Sequence, residues 1–294
     1  MADVPSDGRG RHSADDDAYS LVITPAGLRR PSRAIGERIS AARSKLVRVF
    51  YLVWFNLQKE AYGSSLGHIW LVLEPMLQAL TYYLLIKFVF AIRGADISFA
   101  FFFSAITFWR SHATMVAGGS LFFIAKGHHY IQQNLGVDTA YLEHFVYEFF
   151  LFAIRFAVLV IFLVIAGYDA HVIWAAGVVL GLVQFLFSMA LVVWLSIFGT
   201  FVRDLSRFVA HIVWFWWYMS PGLYSIGRIP DWARPIYELN PFAHLMPAMH
   251  DIMLKGKIPA DLQALGWIFV GSSVLLWLGW MAMRRFGYRL YTQV

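Results

Sequence analysis

Residues 63–90 read GSSLGHIWLVLEPMLQALTYYLLIKFVF, and the fold follows from how this stretch changes along its length. It starts polar and broken by glycine, passes through Glu74 and Pro75, and then stays apolar for the width of a bilayer. A helix needs about 20 mostly apolar residues to cross roughly 30 Å of hydrocarbon. A carboxylate and a proline near the start of such a helix are costly in lipid unless protein or water faces them. The stretch predicts a membrane helix whose entrance end packs inside a bundle.

Composition points the same way. Of 294 residues, 59% are hydrophobic and only 14% are charged, against about 25% charged in a soluble domain. Cysteine is absent, which excludes disulfides and cysteine-based metal or nucleophile chemistry. The net charge of +6 alone would suit nucleic acid, but in a membrane chain the placement of charge matters more, and no nucleic-acid partner is expected. No short apolar run with a small-residue cleavage site opens the sequence, so no secretory signal is expected.

Upstream of the stretch, residues 1–36 are polar and lack a face to bury, which predicts a disordered cytoplasmic tail. Over 37–62, Leu46, Val49, Phe50, Val53, Trp54 and Leu57 recur at three- and four-residue spacing, with Arg43, Lys45, Arg48 and Lys59 opposite. That pattern predicts a basic amphipathic helix lying at the membrane interface, or a soluble helix packed on a partner.

Residues 63–294 predict a permease-like domain of six spans, at about 66–91, 99–124, 146–166, 171–199, 207–226 and 262–283. A polar hairpin, 126–143, separates the second and third. Residues 228–259 carry Pro230, Pro235, Pro241, Pro247 and Pro259 between apolar pieces too short to cross. They predict a re-entrant segment on the outer side. The fold class is an all-α polytopic membrane protein with six transmembrane helices and an N-terminal amphipathic interface helix. With both termini cytoplasmic, sixteen Lys and Arg fall inside and five outside (Arg93, Arg228, Arg234, Lys255 and Lys257), as the positive-inside rule requires.

Catalytic signatures are missing. The sequence holds no GxxxxGK[ST] phosphate loop, no HExxH and no GxSxG. His128 and His129 are adjacent and point apart on a helix, which argues against a shared metal. No metal site and no catalytic residue are expected.

Three stretches carry a resemblance. Gly63, Ser64, Gly67, Trp70, Glu74 and Pro75 form an entrance motif before the first span. Gln133, Asn134 and Asp138, followed by Glu148, form a polar segment after the second, and Asn240-Pro241 closes the outer segment. Their order around six spans resembles the membrane subunit of a polysaccharide-exporting ATP-binding-cassette transporter. Within the type-2 permease family, the LEP form at Leu73 to Pro75 resembles the capsular-polysaccharide and O-antigen branch. The sequence departs from the usual pattern at Lys59-Glu60-Ala61-Tyr62, which places an acid before the motif, and at His128-His129-Tyr130, where a Phe-Pro is usual.

The resemblance implies a non-enzymatic transport subunit in the inner (cytoplasmic) membrane. It implies a homodimer joined by two copies of a cytoplasmic ATPase that binds the ATP, so the chain itself holds no cofactor. The cargo would be lipid-linked polysaccharide, handed on to periplasmic export components; the alternatives are another amphiphile, such as a teichoic-acid-like polymer or a drug, or a membrane-embedded glycan-processing enzyme. Lys126, His128, His129, Gln133, Asn134 and Asp138 would belong to a coupling hairpin that contacts the ATPase, the plainer alternative being a solvated linker.

A path for glycan needs aromatic planes with polar tips. Tyr82 and Tyr83 on the first span, and Trp214, Trp217, Tyr218 and Tyr224 on the fifth, supply them, although such residues also form interfacial belts. Trp214 and Trp217 are three apart and are expected to share a face that Trp216 leaves. Arg110 and Arg155 lie mid-span, with Glu74 and Glu148 as candidate partners. Structural ion pairs and contact with cargo both remain open for them.

Overall fold

The computed structural model describes residues 23–24, 27–28, 35–62, 65–90, 98–120, 122, 137–169, 171–202, 204–224, 227 and 229–292. The chain divides into two compact units, Met1–Val47 and Arg48–Val294. In the first, strands β1 (Ile23–Thr24) and β2 (Gly27–Leu28) pair antiparallel with Ile23 opposite Leu28, and α1 (Ile35–Tyr62) begins. Everything else described in regular structure is helical.

In the second unit, α1 runs on to Tyr62, burying Val49 and Val53 while Phe50, Tyr51, Trp54 and Phe55 stay exposed. A 3-10 turn, Gly67–Ile69, opens at a positive φ of 51° on Gly67, a conformation glycine adopts at little cost. It leads into α2 (Trp70–Leu84), which ends in a π turn, Leu85–Val89. Then follow α3 (Phe99–Ser120), α4 (Val137–Ile165), α5 (Trp174–Phe201) and α6 (Leu205–Tyr218). A short α7 (Arg234–Tyr237), α8 (Pro241–Met253) and α9 (Leu262–Thr292) complete the chain.

Among the described residues, four helical stretches are long and apolar enough to cross a membrane: Gly67–Val89, Thr139–Ile165, Trp174–Phe201 and Leu262–Arg285. The chain is thus a multi-pass helical membrane protein. The expected second and fifth spans, in α3 and α6, do not meet both tests. The 22 residues of α3 suffice in length, but Ser104, Thr107, Arg110, Ser111, His112 and Thr114 dilute its apolar character. The 14 residues of α6 rise only about 21 Å at 1.5 Å each. Sequence periodicity carries that span to residue 226, whereas the helix stops at Tyr218 ahead of Pro221. Proline cannot donate to a preceding turn, and it disfavours helical backbone in the residue before it. At the other boundary, α4 starts at Val137 and so absorbs the last part of the expected hairpin.

The core is built around α3, which packs on α2, α4, α5, α6 and α8. Every residue from 102 to 109 is buried, so this helix is enclosed on all sides. Next to it, α5 carries contacts to α8 and α9 as well. Small residues let these helices close up. A Cβ on Gly119 of α3 would lie 2.6 Å from both methyls of Val192 on α5, and one on Gly181 of α5 would enter the Phe152 ring of α4. Close backbone approach of this kind drives helix association where lipid is as apolar as the side chains.

Candidate functional site

Polar groups that the sequence scatters along apolar helices converge in three places. The first is a seam between α2, α3 and α4. Arg110 Nη2 lies 2.6 Å from Glu74 Oε2, and Arg110 Nη1 donates to Gln78 Oε1 at 3.3 Å. One turn further along α3, Thr114 donates to the Arg110 carbonyl at 2.9 Å, sits 3.4 Å from Glu148 Oε2, and accepts from Arg155 Nη1 at 3.3 Å. Both arginines expected mid-span, and both glutamates, therefore stand in one polar seam. Glu148 and Arg155 are buried, whereas Glu74 is open on one side.

The second place is a hydrogen-bonded ladder between α3 and α5. Gln184 Nε2 donates to the Phe108 carbonyl at 2.7 Å, Ser188 donates to the Gln184 carbonyl at 2.9 Å, and His112 Nδ1 meets Ser188 Oγ at 2.7 Å. A hydroxyl has one proton to give, so once Ser188 has given it, its oxygen accepts from His112 Nδ1–H. Rings of Trp109, Phe187, Trp216 and Phe242 enclose the imidazole. The signal in sequence was Gln184, a lone amide inside an apolar run, which must find a partner within the bundle.

The third place joins α6 to α8. Asn240 caps α8 by accepting from Phe242 N at 3.0 Å, and the same oxygen accepts from Trp216 Nε1 at 2.8 Å. Its amide nitrogen donates to the Met219 carbonyl and to Ser220 Oγ, both at 3.1 Å. Two acceptor sites and two donors are all used. Asparagine at the N-cap with proline at the first helical position is also a strong helix start. The Asn240-Pro241 motif thus has a structural reason.

The aromatic residues expected on a path divide between two faces of α6. Val209, Val213 and Trp217 form the buried stripe, and Trp217 is 2% exposed. Trp214 is 61% exposed, and its ring lies tilted 5.6 Å from that of Tyr218, one turn on. Trp214 and Trp217 do not share a face, because the buried stripe is one residue wide. Tyr82 from α2 meets Trp217 at a ring distance of 5.9 Å and puts its hydroxyl 3.4 Å from that of Tyr218. Tyr224 donates to the Tyr218 carbonyl at 3.1 Å. Tyr83 turns away from this group towards Phe99 and Phe102, with the Lys87 ammonium donating to its hydroxyl at 2.5 Å. Tyr82, Trp217, Tyr218 and Tyr224 thus form one connected aromatic group.

At the entrance motif, Gly67 makes the turn, Trp70 opens α2 and is exposed, and Pro75 is buried one residue after Glu74. His68 Nε2 reaches the Leu57 carbonyl at 2.9 Å and ties this turn to α1. A second tie, not foreseen from sequence, is Asn56 Nδ2 donating to Glu143 Oε1 of α4 at 2.5 Å, with Glu143 fully buried. Gly63, Ser64, Lys126, His128, His129, Gln133 and Asn134 lie outside the described residues, and Asp138 falls in the first turn of α4. No cluster of three metal-binding side chains exists among the described residues.

Comparison with known proteins supplies the wider context. Residues 47–254 match the ABC-2 type transporter family. Two Klebsiella pneumoniae proteins called O-antigen export system permease protein RfbA are similar. One is 25% identical over 67% of this chain and 76% of its own length. The other is 23% identical over 79% and 89%. A Myxococcus xanthus protein of the same name is 28% identical over 79% of this chain and 93% of its own. The matched region takes in the entrance turn, the polar seam, the ladder and the capped α8, and the chain belongs to the ABC-2 type transporter family of membrane permeases.

Proposed function

We propose that this chain is the permease subunit of an ATP-driven exporter that moves lipid-linked polysaccharide, of capsule or O-antigen type, across the inner membrane. The observation that carries the reading is the similarity to O-antigen export permeases along most of both chains. A polypeptide of this family without a phosphate loop draws its energy from a separate ATP-binding-cassette subunit. The assembly is a homodimer of this chain with two ATPase copies, and it delivers cargo to periplasmic components.

In this reading six helices span the membrane, with both termini cytoplasmic, and the α7–α8 region is the outer re-entrant segment. The modest apolarity of α3 does not stand against crossing. Arg110, Thr114 and His112 bond to α2, α4 and α5 rather than meeting lipid. Residues 126–143 couple to the ATPase. Glycan passes the exposed face of α6, where Trp214 and Tyr218 offer a ring plane and a hydroxyl, with Tyr224 beside them and Tyr82 buried behind.

The test is to deplete the gene and locate the polysaccharide. Intact glycan held inside the inner membrane beneath a bare surface is the expected result. An unaltered surface coat would overturn the polysaccharide reading, and loss of glycan from both sides would point to synthesis instead.

A further inference from the structure

His244 stands in the first turn of α8, and each of its ring nitrogens meets an acceptor. Nδ1 lies 2.9 Å from Asp261 Oδ2, and Nε2 lies 2.9 Å from the Glu238 backbone oxygen. Asp261 is itself committed, since its Oδ1 accepts from Ala264 N at 3.0 Å and caps α9. One imidazole therefore joins the turn after α7, the head of α8 and the head of α9. A neutral imidazole has a single N–H, whereas a carbonyl oxygen and an ionised carboxylate can only accept. Both contacts are satisfied together only by the imidazolium.

We infer that His244 is a protonation-dependent clamp: its imidazolium fastens the Glu238–Asn240 turn and the head of α9 to α8, and loss of one proton releases the turn. The carboxylate side keeps its proton, because Nδ1–H facing an anion is the better of the two neutral tautomers. The proton that leaves is the one on Nε2, and a ring lone pair then faces the Glu238 carbonyl. These two must part.

On the turn itself the Glu238 side chain is exposed, and the charged groups of α7 and α8 each pair with a neighbour along the chain. On α8, Asp251 lies two turns on and pairs with Lys255 at 3.0 Å. His250 turns towards Phe101 on α3, where burial lowers its pKa to about 4, so it stays neutral through the range that matters. Arg234 of α7 sits 3.6 Å from Asp231. From the α9 side, Asp261 supplies the charge.

The clamp holds at low pH and opens as pH rises. The ring is 18% exposed and its carboxylate partner 55% exposed, so the effect is that of a half-solvated bond, about fivefold in local opening. The experiment is hydrogen–deuterium exchange on the full-length chain in lipid nanodiscs between pH 5.5 and 8.5, read as protection of a peptide spanning 234–242. Protection of Leu239 and Asn240 should fall about fivefold across this range. In His244→Gln, whose amide donates at every pH, protection should not change with pH. A flat profile in the wild type or an unchanged slope in His244→Gln would each overturn the clamp. Transport plays no part in the measurement, so a negative result leaves the export reading where it stands.

Discussion

Arg110 on α3 and Glu74 on α2 form an ion pair at 2.6 Å, and only one of the two is well sheltered: the arginine side chain is 22% exposed and the carboxylate 54%. A carboxylate in that setting needs water or another protein surface on its open side. The pair therefore fixes how α2 lies on α3, and it also marks which face of α2 is not turned to lipid.

Reversing either charge alone, Glu74→Arg or Arg110→Glu, should lower the amount of folded chain recovered from membranes. Reversing both should restore it. Because the carboxylate is more than half exposed, the coupling in a double-mutant cycle should be about 1 kcal/mol or less. Thermal unfolding of the four purified proteins measures it. Failure of the double reversal to recover stability would mean that each residue acts through a different partner.

Asn240 uses every hydrogen-bonding site it has, and no other side chain offers two acceptor sites and two donors at that length. Asn240→Ala removes a helix cap and leaves Trp216 Nε1 and the Met219 carbonyl short of a partner. The expected loss is about 2–3 kcal/mol of stability. Asn240→Asp keeps the cap but sets a carboxylate against the Met219 carbonyl and Ser220 oxygens, and it should also melt below the wild type.

Trp214 and Trp217 offer a clean separation of fold from function. Trp217→Ala empties a buried site beside Tyr82 and Trp109 and should cost about 3–5 kcal/mol. Trp214→Ala removes an exposed ring and should leave the melting temperature within about 1 °C of the wild type, well under 0.5 kcal/mol. If Trp214 lines the cargo path, this variant assembles normally yet delivers less glycan to the surface. Wild-type delivery would remove Trp214 from the path.

Gly181→Ala should destabilise by about 1–3 kcal/mol, since the new methyl enters the ring of Phe152 on α4. Gly266→Ala on α9, where a Cβ meets nothing within 4 Å, is the matched control. It should be neutral or slightly stabilising, as alanine is the better helix former.

Much of this architecture was legible in the sequence, for reasons that can be named. The four clear spans are long runs of apolar side chains, and solvent transfer alone identifies them. Asn240-Pro241 marks the start of α8 because cap and first-turn preferences are local. The end of α6 was misplaced because apolar periodicity continues past Tyr218, while the break comes from Pro221, a single residue. Pairings were harder. Glu74 and Glu148 were both reasonable partners for Arg110 and Arg155, and only the packing of α2 and α4 against α3 assigned Glu74 to Arg110. The Asn56–Glu143 and His244–Asp261 contacts join residues far apart along the chain, and no local spacing announces them.

The enclosure of α3 has a consequence for biogenesis. A segment carrying Arg110, Ser111, His112 and Thr114 partitions poorly into lipid by itself, because a single arginine at a helix centre opposes insertion by about 2.5–3.5 kcal/mol. If α3 crosses as the six-span reading has it, α2 comes first as the nascent chain leaves the ribosome and brings Glu74, the counter-charge with which the two helices would enter as a hairpin. Ser188 and Gln184 arrive later, on α5, and complete the ladder. A chain released after α3 would lack those partners, and the insertase would be left holding a helix that the bilayer alone does not keep.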